Sequence, residues 1–219
     1  MKKSLMILLH ALTMVSLLFL SIRLLGLELL FFRWFYSQNN TAVQMGMSYS
    51  DLIQATQQLL KYMLDQATTI QSEVVVHGQK VLMFNQREID HMVDVLYLIR
   101  AMRIVMILSL LISVVVYWTQ KTKLTFKASL KYTYTIALGL LGGLMSALSV
   151  FAWLDFESFW IFFHLILFRN DLWLLDPRTD RLINMVPLNF FMILVFAVIA
   201  STVLLNSLYA YFVYRYSSK

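Results

Sequence analysis

Residues 102–151 read MRIVMILSLLISVVVYWTQKTKLTFKASLKYTYTIALGLLGGLMSALSVF, and the order of apolar and basic blocks within them sets the architecture. Met102 to Trp118 is apolar apart from Arg103, Ser109 and Ser113, and Tyr132 to Phe151 carries no charge at all. Each run approaches the roughly 20 residues a helix needs to cross the hydrocarbon of a bilayer. Between them stand Lys121, Lys123, Lys127 and Lys131, with no acid. Two spans joined by a basic loop make a membrane hairpin, and the positive-inside rule puts that loop in the cytoplasm.

Working outward, a further span runs from about Leu5 to Ile22 behind Lys2 and Lys3. Ser21 is followed by Arg23 and Leu24, which is no small-x-small cleavage site, so this segment reads as an uncleaved anchor. Its helix is expected to continue through Arg23 and Glu28 towards Arg33 and Trp34. A fourth span runs from about Pro187 to Tyr211, with Pro187 suited to a first helical turn. The amino terminus, the 119–131 loop and the tail from 212 hold eight basic residues (Lys2, Lys3, Lys121, Lys123, Lys127, Lys131, Arg215, Lys219) and no acid. Both termini are therefore expected inside, with the non-spanning mass outside.

Composition agrees. Of 219 residues, 60% are apolar and 14% charged, with a mean hydropathy of +0.70, against about 25% charged in a soluble domain. With no cysteine, disulfides, thiolate metal sites and a cysteine nucleophile are all excluded. The net charge of +6 follows membrane topology, so no nucleic-acid partner is expected, and no Gly-rich phosphate loop is present.

The non-spanning material falls in two pieces, 33–99 and 153–186. In the first, Leu52, Ala55, Leu59, Leu60 and Met63 share one side of an expected helix from about Asp51 to Asp65. Val74 to Val76 and Val81 to Phe84, joined through His77 and Gly78, suit a hairpin. Asn85, followed three residues later by Glu88, reads as a capping box opening a helix that runs on into the span at 102. In the second piece, Phe159 to Phe168 has His164 as its only polar member and is too short to span, so it reads as a re-entrant or interfacial helix. Asp176 before Pro177 favours a turn. The expected fold is a mainly α membrane protein, four transmembrane helices with a small α+β extracytoplasmic cap. Its segments are 1–32 (first span), 33–99 (cap), 100–152 (second and third spans), 153–186 (re-entrant or interfacial segment) and 187–219 (fourth span and tail).

The chemistry rests on few residues. His10, inside a span, and His77, at a turn, read as structural. His91 has Arg87, Glu88 and Asp94 at i−4, i−3 and i+3; a carboxylate at i+3 could fix its tautomer, or the three charges could simply be a solvated helix face. His164, between Phe159–Phe163 and Leu165–Phe168, is costly at membrane depth without a polar partner, and so is either functional or bonded to a carbonyl in a packed core. Arg23 could snorkel, pair with Glu28 or face a polar cavity. No zinc-protease motif and no serine elbow occur, so neither a metal nor any other cofactor is expected.

The string Phe84-Asn85-x-Arg87-Glu88-Ile89-x-His91-Met92-x-Asp94-Val95, and then Phe163-His164-x-x-Leu167-Phe168-x-Asn170-Asp171-x-Trp173-x-Leu175-Asp176-Pro177-x-x-Asp180 with Pro187, resembles the lipoprotein intramolecular transacylase family of low-GC Gram-positive bacteria. The resemblance covers essentially the whole chain. It implies a substrate that composition could not show: a lipoprotein whose amino-terminal cysteine carries diacylglycerol, with its sn-2 acyl chain moved to the cysteine's own α-amino group to give the lyso-form. By the same resemblance His91 and His164 are the catalytic histidines, and Asn170, Asp171, Trp173, Asp176 and Asp180 support them. Arg23, Arg87 and Asp94 are candidates for oxyanion binding or for supporting the pair, at the outer leaflet and in contact with membrane lipid. Such a transfer needs no enzyme nucleophile, since both reacting groups belong to one molecule. The alternatives are a non-catalytic membrane protein that binds a lipid or a protein through its outer part, and a metal-dependent intramembrane hydrolase. The histidine-pair mechanism requires two imidazoles 73 positions apart to converge.

Overall fold

The structure, a computed structural model, describes residues 2–217; Lys219, one of the basic tail residues above, lies outside the described residues. The elements in chain order are α1 (Lys3–Gly26), α2 (Leu29–Asn39), α3 (Thr41–Gln44), α4 (Tyr49–Met63), β1 (Glu73–Val76), β2 (Gln79–Leu82), α5 (Gln86–Gln120), α6 (Leu124–Leu154), α7 (Phe156–Leu167), α8 (Arg181–Met185) and α9 (Leu188–Ser217). α1, α5, α6 and α9 are each long and apolar enough to cross a membrane. The chain forms two compact units, one of Met1–Ile22, Ala101–Phe159 and Phe196–Lys219, the other of Arg23–Arg100 and Trp160–Val195.

The first unit is the spanning one. Leu108, Leu111, Val114, Leu140 and Leu204 are exposed on it, as lipid-facing positions are, while Met6, Met14, Phe126, Leu130, Tyr134, Ala137 and Val213 form its interior. Buried hydroxyls in it find carbonyls on their own helix, Thr13 and Ser16 donating to those of Leu9 (2.9 Å) and Leu12 (2.8 Å), or on a neighbouring one, Tyr134 donating to that of Asn206 at 3.4 Å, as a medium without water requires. His10 belongs to this packing, its Nδ1 2.6 Å from the Tyr209 hydroxyl.

The second unit is built on α2, α4 and the hairpin, with Phe35, Tyr36, Leu52, Ala55, Leu59, Ile70, Val74 and Met83 in its core. α4 buries the stripe that its sequence marks, and Ser48 caps it by accepting the Asp51 N–H at 3.0 Å. β1 and β2 pair antiparallel with Val74 opposite Val81 and Val76 opposite Gln79. The two-residue turn places His77 at φ 49° and Gly78 at φ 79°, the left-handed pair that a tight hairpin demands. The His77 N–H donates to the Gly46 carbonyl at 2.8 Å, and its ring lies where a side chain on Gly46 would be: a Cβ there would stand 2.1 Å from His77 Cε1, at a φ of +64°. His77 thus anchors the hairpin.

One expectation fails. The first helix does not continue to Trp34: α1 ends at Gly26 and Glu28 is extended (φ −116°, ψ 131°) before α2 begins. Glycine is a weak helix former, and breaking there lets Leu27, Phe32, Phe35 and Tyr36 join the second unit's core. Arg23 closes the break by donating to Glu28 at 2.7 Å.

α5 starts as its sequence indicates. Asn85 Oδ1 accepts the Glu88 N–H at 3.0 Å while Glu88 Oε2 accepts the Asn85 N–H at 2.7 Å, a reciprocal capping box. Glu88 is fully buried because its other oxygen is also used, accepting the Leu182 N–H at 2.5 Å. A second knot lies beside it. Asp180, 4% exposed, accepts from Asn85 Nδ2 (2.6 Å), Thr179 Oγ1 (3.0 Å) and the Asp176 N–H (2.7 Å). Asp176 in turn holds Arg178, its Oδ2 accepting Nη2 at 2.6 Å, and that guanidinium keeps the Asp176 carboxyl down at about 2.

Candidate active site

The capping box sets where α5 begins, and with it where His91 lies, in the second turn and eleven residues ahead of the span at Met102. His164 sits in the last turn of α7. The two rings are brought together with centroids 6.2 Å apart at 36°, and the residues are 7% and 6% exposed. Phe168 touches both, at 5.3 Å from His91 and 5.6 Å from His164. Trp160 (4.7 Å) and Phe163 (5.4 Å) meet His164 edge-on, and Trp173 stacks on it at 4.8 Å and 27°. The pair therefore occupies an aromatic enclosure.

That enclosure dictates protonation. His164 Nδ1 lies 2.8 Å from the Trp160 carbonyl, and a carbonyl can only accept, so Nδ1 carries the hydrogen and Nε2 keeps its lone pair. Burial pushes the His164 imidazole below its ordinary 6.5, against the Trp160 bond that raises it. His91 falls to about 4, through burial first and then the neighbouring His164, with Asp94 opposing and Arg87 adding. Both imidazoles are uncharged at neutral pH and can accept a proton. His91 Nδ1 is buried and makes no hydrogen bond among the described residues, and the same holds for Arg87 Nε. Buried polar atoms are almost always partnered, so two such atoms on successive turns of one helix mark a place where a polar ligand belongs.

The segment 168–176, which has no helix or strand of its own, is tied to α5 by side chains. Asn170 Nδ2 donates to Asp94 Oδ2 at 2.8 Å, and the Trp173 indole N–H donates to the Asn170 carbonyl at 2.9 Å. Arg87 donates to the Asp171 carbonyl and lies 3.7 Å from its carboxylate.

These contacts revise the sequence reading. The Asp94 carboxylate, which its i+3 spacing left either fixing the His91 tautomer or lying on a solvated helix face, bonds Asn170, because the 168–176 segment reaches it with a donor. Arg23 is held by Glu28 and is not among the charged groups that His91 feels, while Asp176 and Asp180 form the separate knot at the start of α5. Trp160 and Phe168 escaped notice as parts of the site. Trp160 could have been found, since i−4 from His164 is where a helical histidine meets a carbonyl.

Four helices long and apolar enough to cross a membrane, and a buried pair of histidines within the second unit, define an integral membrane protein with two paired proton-accepting groups. The model of the lipoprotein intramolecular transacylase Lit family matches residues 7–191, and the chain belongs to that family of acyltransferases. Its fold is that of the membrane integral lipoprotein intramolecular transacylase Lit from Bacillus cereus, at 22% identity and a TM-score of 0.74 over 99% of this chain and 95% of that one. Two structures of the same Bacillus cereus protein, with one histidine changed to alanine or to arginine, match at 21% identity each, with TM-scores of 0.70 and 0.71 over 99% of this chain and 93% and 92% of those. Among curated proteins nothing matches.

Proposed function

We propose that this chain transfers the sn-2 acyl group of a diacylglyceryl-modified lipoprotein to the α-amino group of the same molecule's amino-terminal cysteine, at the outer leaflet and with both chain termini cytoplasmic. The product is the lyso-form. The amine nitrogen attacks the ester carbonyl, a C–N bond forms, the C–O bond to glycerol breaks, and the proton lost by nitrogen ends on the glycerol oxygen. No water is consumed and no acyl-enzyme forms.

His164 Nε2 is the base that takes the amine proton, its tautomer set by the Trp160 carbonyl. His91 is the second proton carrier, serving the departing glycerol oxygen. Arg87 Nε–H binds the oxyanion of the tetrahedral intermediate, a role for which a preorganised, water-excluded donor is suited. The observation that carries this reading is the pair of buried neutral imidazoles 6.2 Å apart beside an unpartnered guanidinium N–H. The eight cationic residues at the amino terminus, in the 119–131 loop and in the tail support the orientation.

The test is mass spectrometry of an amino-terminal lipopeptide from a host that makes only diacylglyceryl lipoproteins, with this chain expressed or absent. Because the transfer is intramolecular, mass does not change and fragmentation must locate the acyl group. An acyl chain on the cysteine nitrogen, absent in His91→Ala and His164→Ala, is the expected result. An unmodified amine beside folded, membrane-inserted protein overturns the reading in favour of a non-catalytic binding protein, and loss of activity on adding chelator points to a metal-dependent hydrolase.

A further inference from the structure

Resting on that acyl-transfer reading, we infer that Asp94 is a positioning residue for His164, acting through Asn170 and Trp173. Its place three residues after His91 on α5 suggests the other histidine, but the bonds lead elsewhere. Asp94 Oδ2 accepts from Asn170 Nδ2 at 2.8 Å. Asn170 is engaged twice more, its Oδ1 accepting the Leu172 N–H at 3.1 Å and its carbonyl the Trp173 indole N–H at 2.9 Å. The indole so held stacks on His164.

A ring has two orientations to settle, its plane and its rotation within that plane. The Trp160 carbonyl sets the rotation through Nδ1, and the Trp173 stack sets the plane. Together they aim Nε2. The stack depends on a segment without secondary structure, so its geometry rests on side-chain ties, and Asp94 supplies the acceptor for one of them. Asp94 thus connects the helix that bears His91 to the orientation of His164. It touches neither the imidazole it orients nor the reacting atoms.

The experiment compares Asp94→Ala, Asn170→Ala and the exchange Asp94→Asn with Asn170→Asp, reading kcat, KM and the pH profile of transacylation. Misplacing a catalytic group by about 1 Å costs on the order of 100-fold, so each single variant loses 10- to 100-fold in kcat with KM little changed. The exchange restores a donor–acceptor pair across the same gap and recovers most of that loss. The charged and titratable groups facing the pair are Asp94 and Arg87, besides the histidines themselves. A loosened stack hydrates His164, and its imidazole rises back towards 6.5. The acid limb therefore moves to higher pH in both single variants. If Asp94 instead acts on His91, losing its charge lowers that imidazole, so the limb moves down in Asp94→Ala and stays put in Asn170→Ala; that pattern, or an exchange no better than the singles, overturns the proposal. Nitrogen-15 NMR of the four histidines, assigned by single substitution, follows the same rise without catalysis. A chain that makes no N-acylated product yet shows it refutes the function and leaves Asp94 in its role. Trp173→Phe, which retains a stacking ring but not the indole N–H, loses less than Trp173→Ala and covers the case in which Asp94→Ala does not fold.

Discussion

Glu88→Ala removes one carboxylate that closes two joints of the non-spanning unit at once. Its oxygens accept the N–H groups of Asn85 and Leu182, and alanine leaves both donors without a partner. A hydrogen bond to a charged acceptor contributes about 1.5–3 kcal/mol, so two give about 3–6 kcal/mol. Against this stands the cost of burying the carboxylate, which holds its carboxyl above the ordinary 4.5 despite the two N–H groups that pull it down. Relief of that cost, about 1–3 kcal/mol, leaves a net loss of about 2–4 kcal/mol. For a chain of this length the melting temperature falls by about 2–4 °C per kcal/mol, which puts the variant roughly 5–15 °C below wild type. Tryptophan fluorescence in detergent, with five tryptophans as reporters, reads it directly. The sign with pH is also set. A carboxyl raised by folding adds stability that is complete below its ordinary value and declines as pH climbs through the raised one, so the gap is wider at about pH 4.5 than at about pH 8.5. A variant within about 2 °C of wild type, or a gap that widens with pH, refutes the reasoning.

Three other expectations follow from the geometry. Because both imidazoles lie below their ordinary 6.5, His91 at about 4, the acid limb of transacylation lies below pH 6.5, and a midpoint at or above pH 6.5 in the pH–rate profile contradicts the neutral pair. The lowered His91 also contributes stability that is present above 6.5 and is lost as pH falls towards 4, a slope that His91→Phe flattens in melting scans. Arg87→Gln, which removes the Nε–H, lowers kcat by about 100- to 1,000-fold, and a change in KM alone shows that the residue only binds substrate. Gly46→Ala drives a methyl group into the His77 ring at a positive φ and costs about 1–3 kcal/mol, seen as a lower melting temperature with the catalytic residues untouched.

Much of the fold is legible because its signals are local. An apolar run marks a span by itself, Asn85 and Glu88 mark a helix start within one turn, and His77-Gly78 marks a turn between two β-branched runs. The break at Gly26 is not legible, because a lone glycine is tolerated in helices and only the burial of Leu27 and Phe32 in another core makes stopping worthwhile. In the site, the pairing of His91 with His164 came from family likeness, since no spacing rule joins residues 73 apart. Asp94 misleads for the same reason: its local partner is visible at i+3, whereas Asn170, 76 residues away, wins it by tertiary folding.

The knots at the start of α5 also bear on how the protein is made. Asn85 meets Asp180 and Glu88 meets Leu182 across 95 and 94 positions, and contacts this distant close only after the intervening chain exists. Synthesis from the amino terminus therefore produces His91 long before anything can enclose it. The nascent chain passes through two complete membrane helices and His164 itself before Asp180 and Leu182 emerge to lock the helix start. The enclosure is a late event in biogenesis, and a ribosome halted before Asp180 leaves a membrane-inserted chain holding both histidines and neither lock.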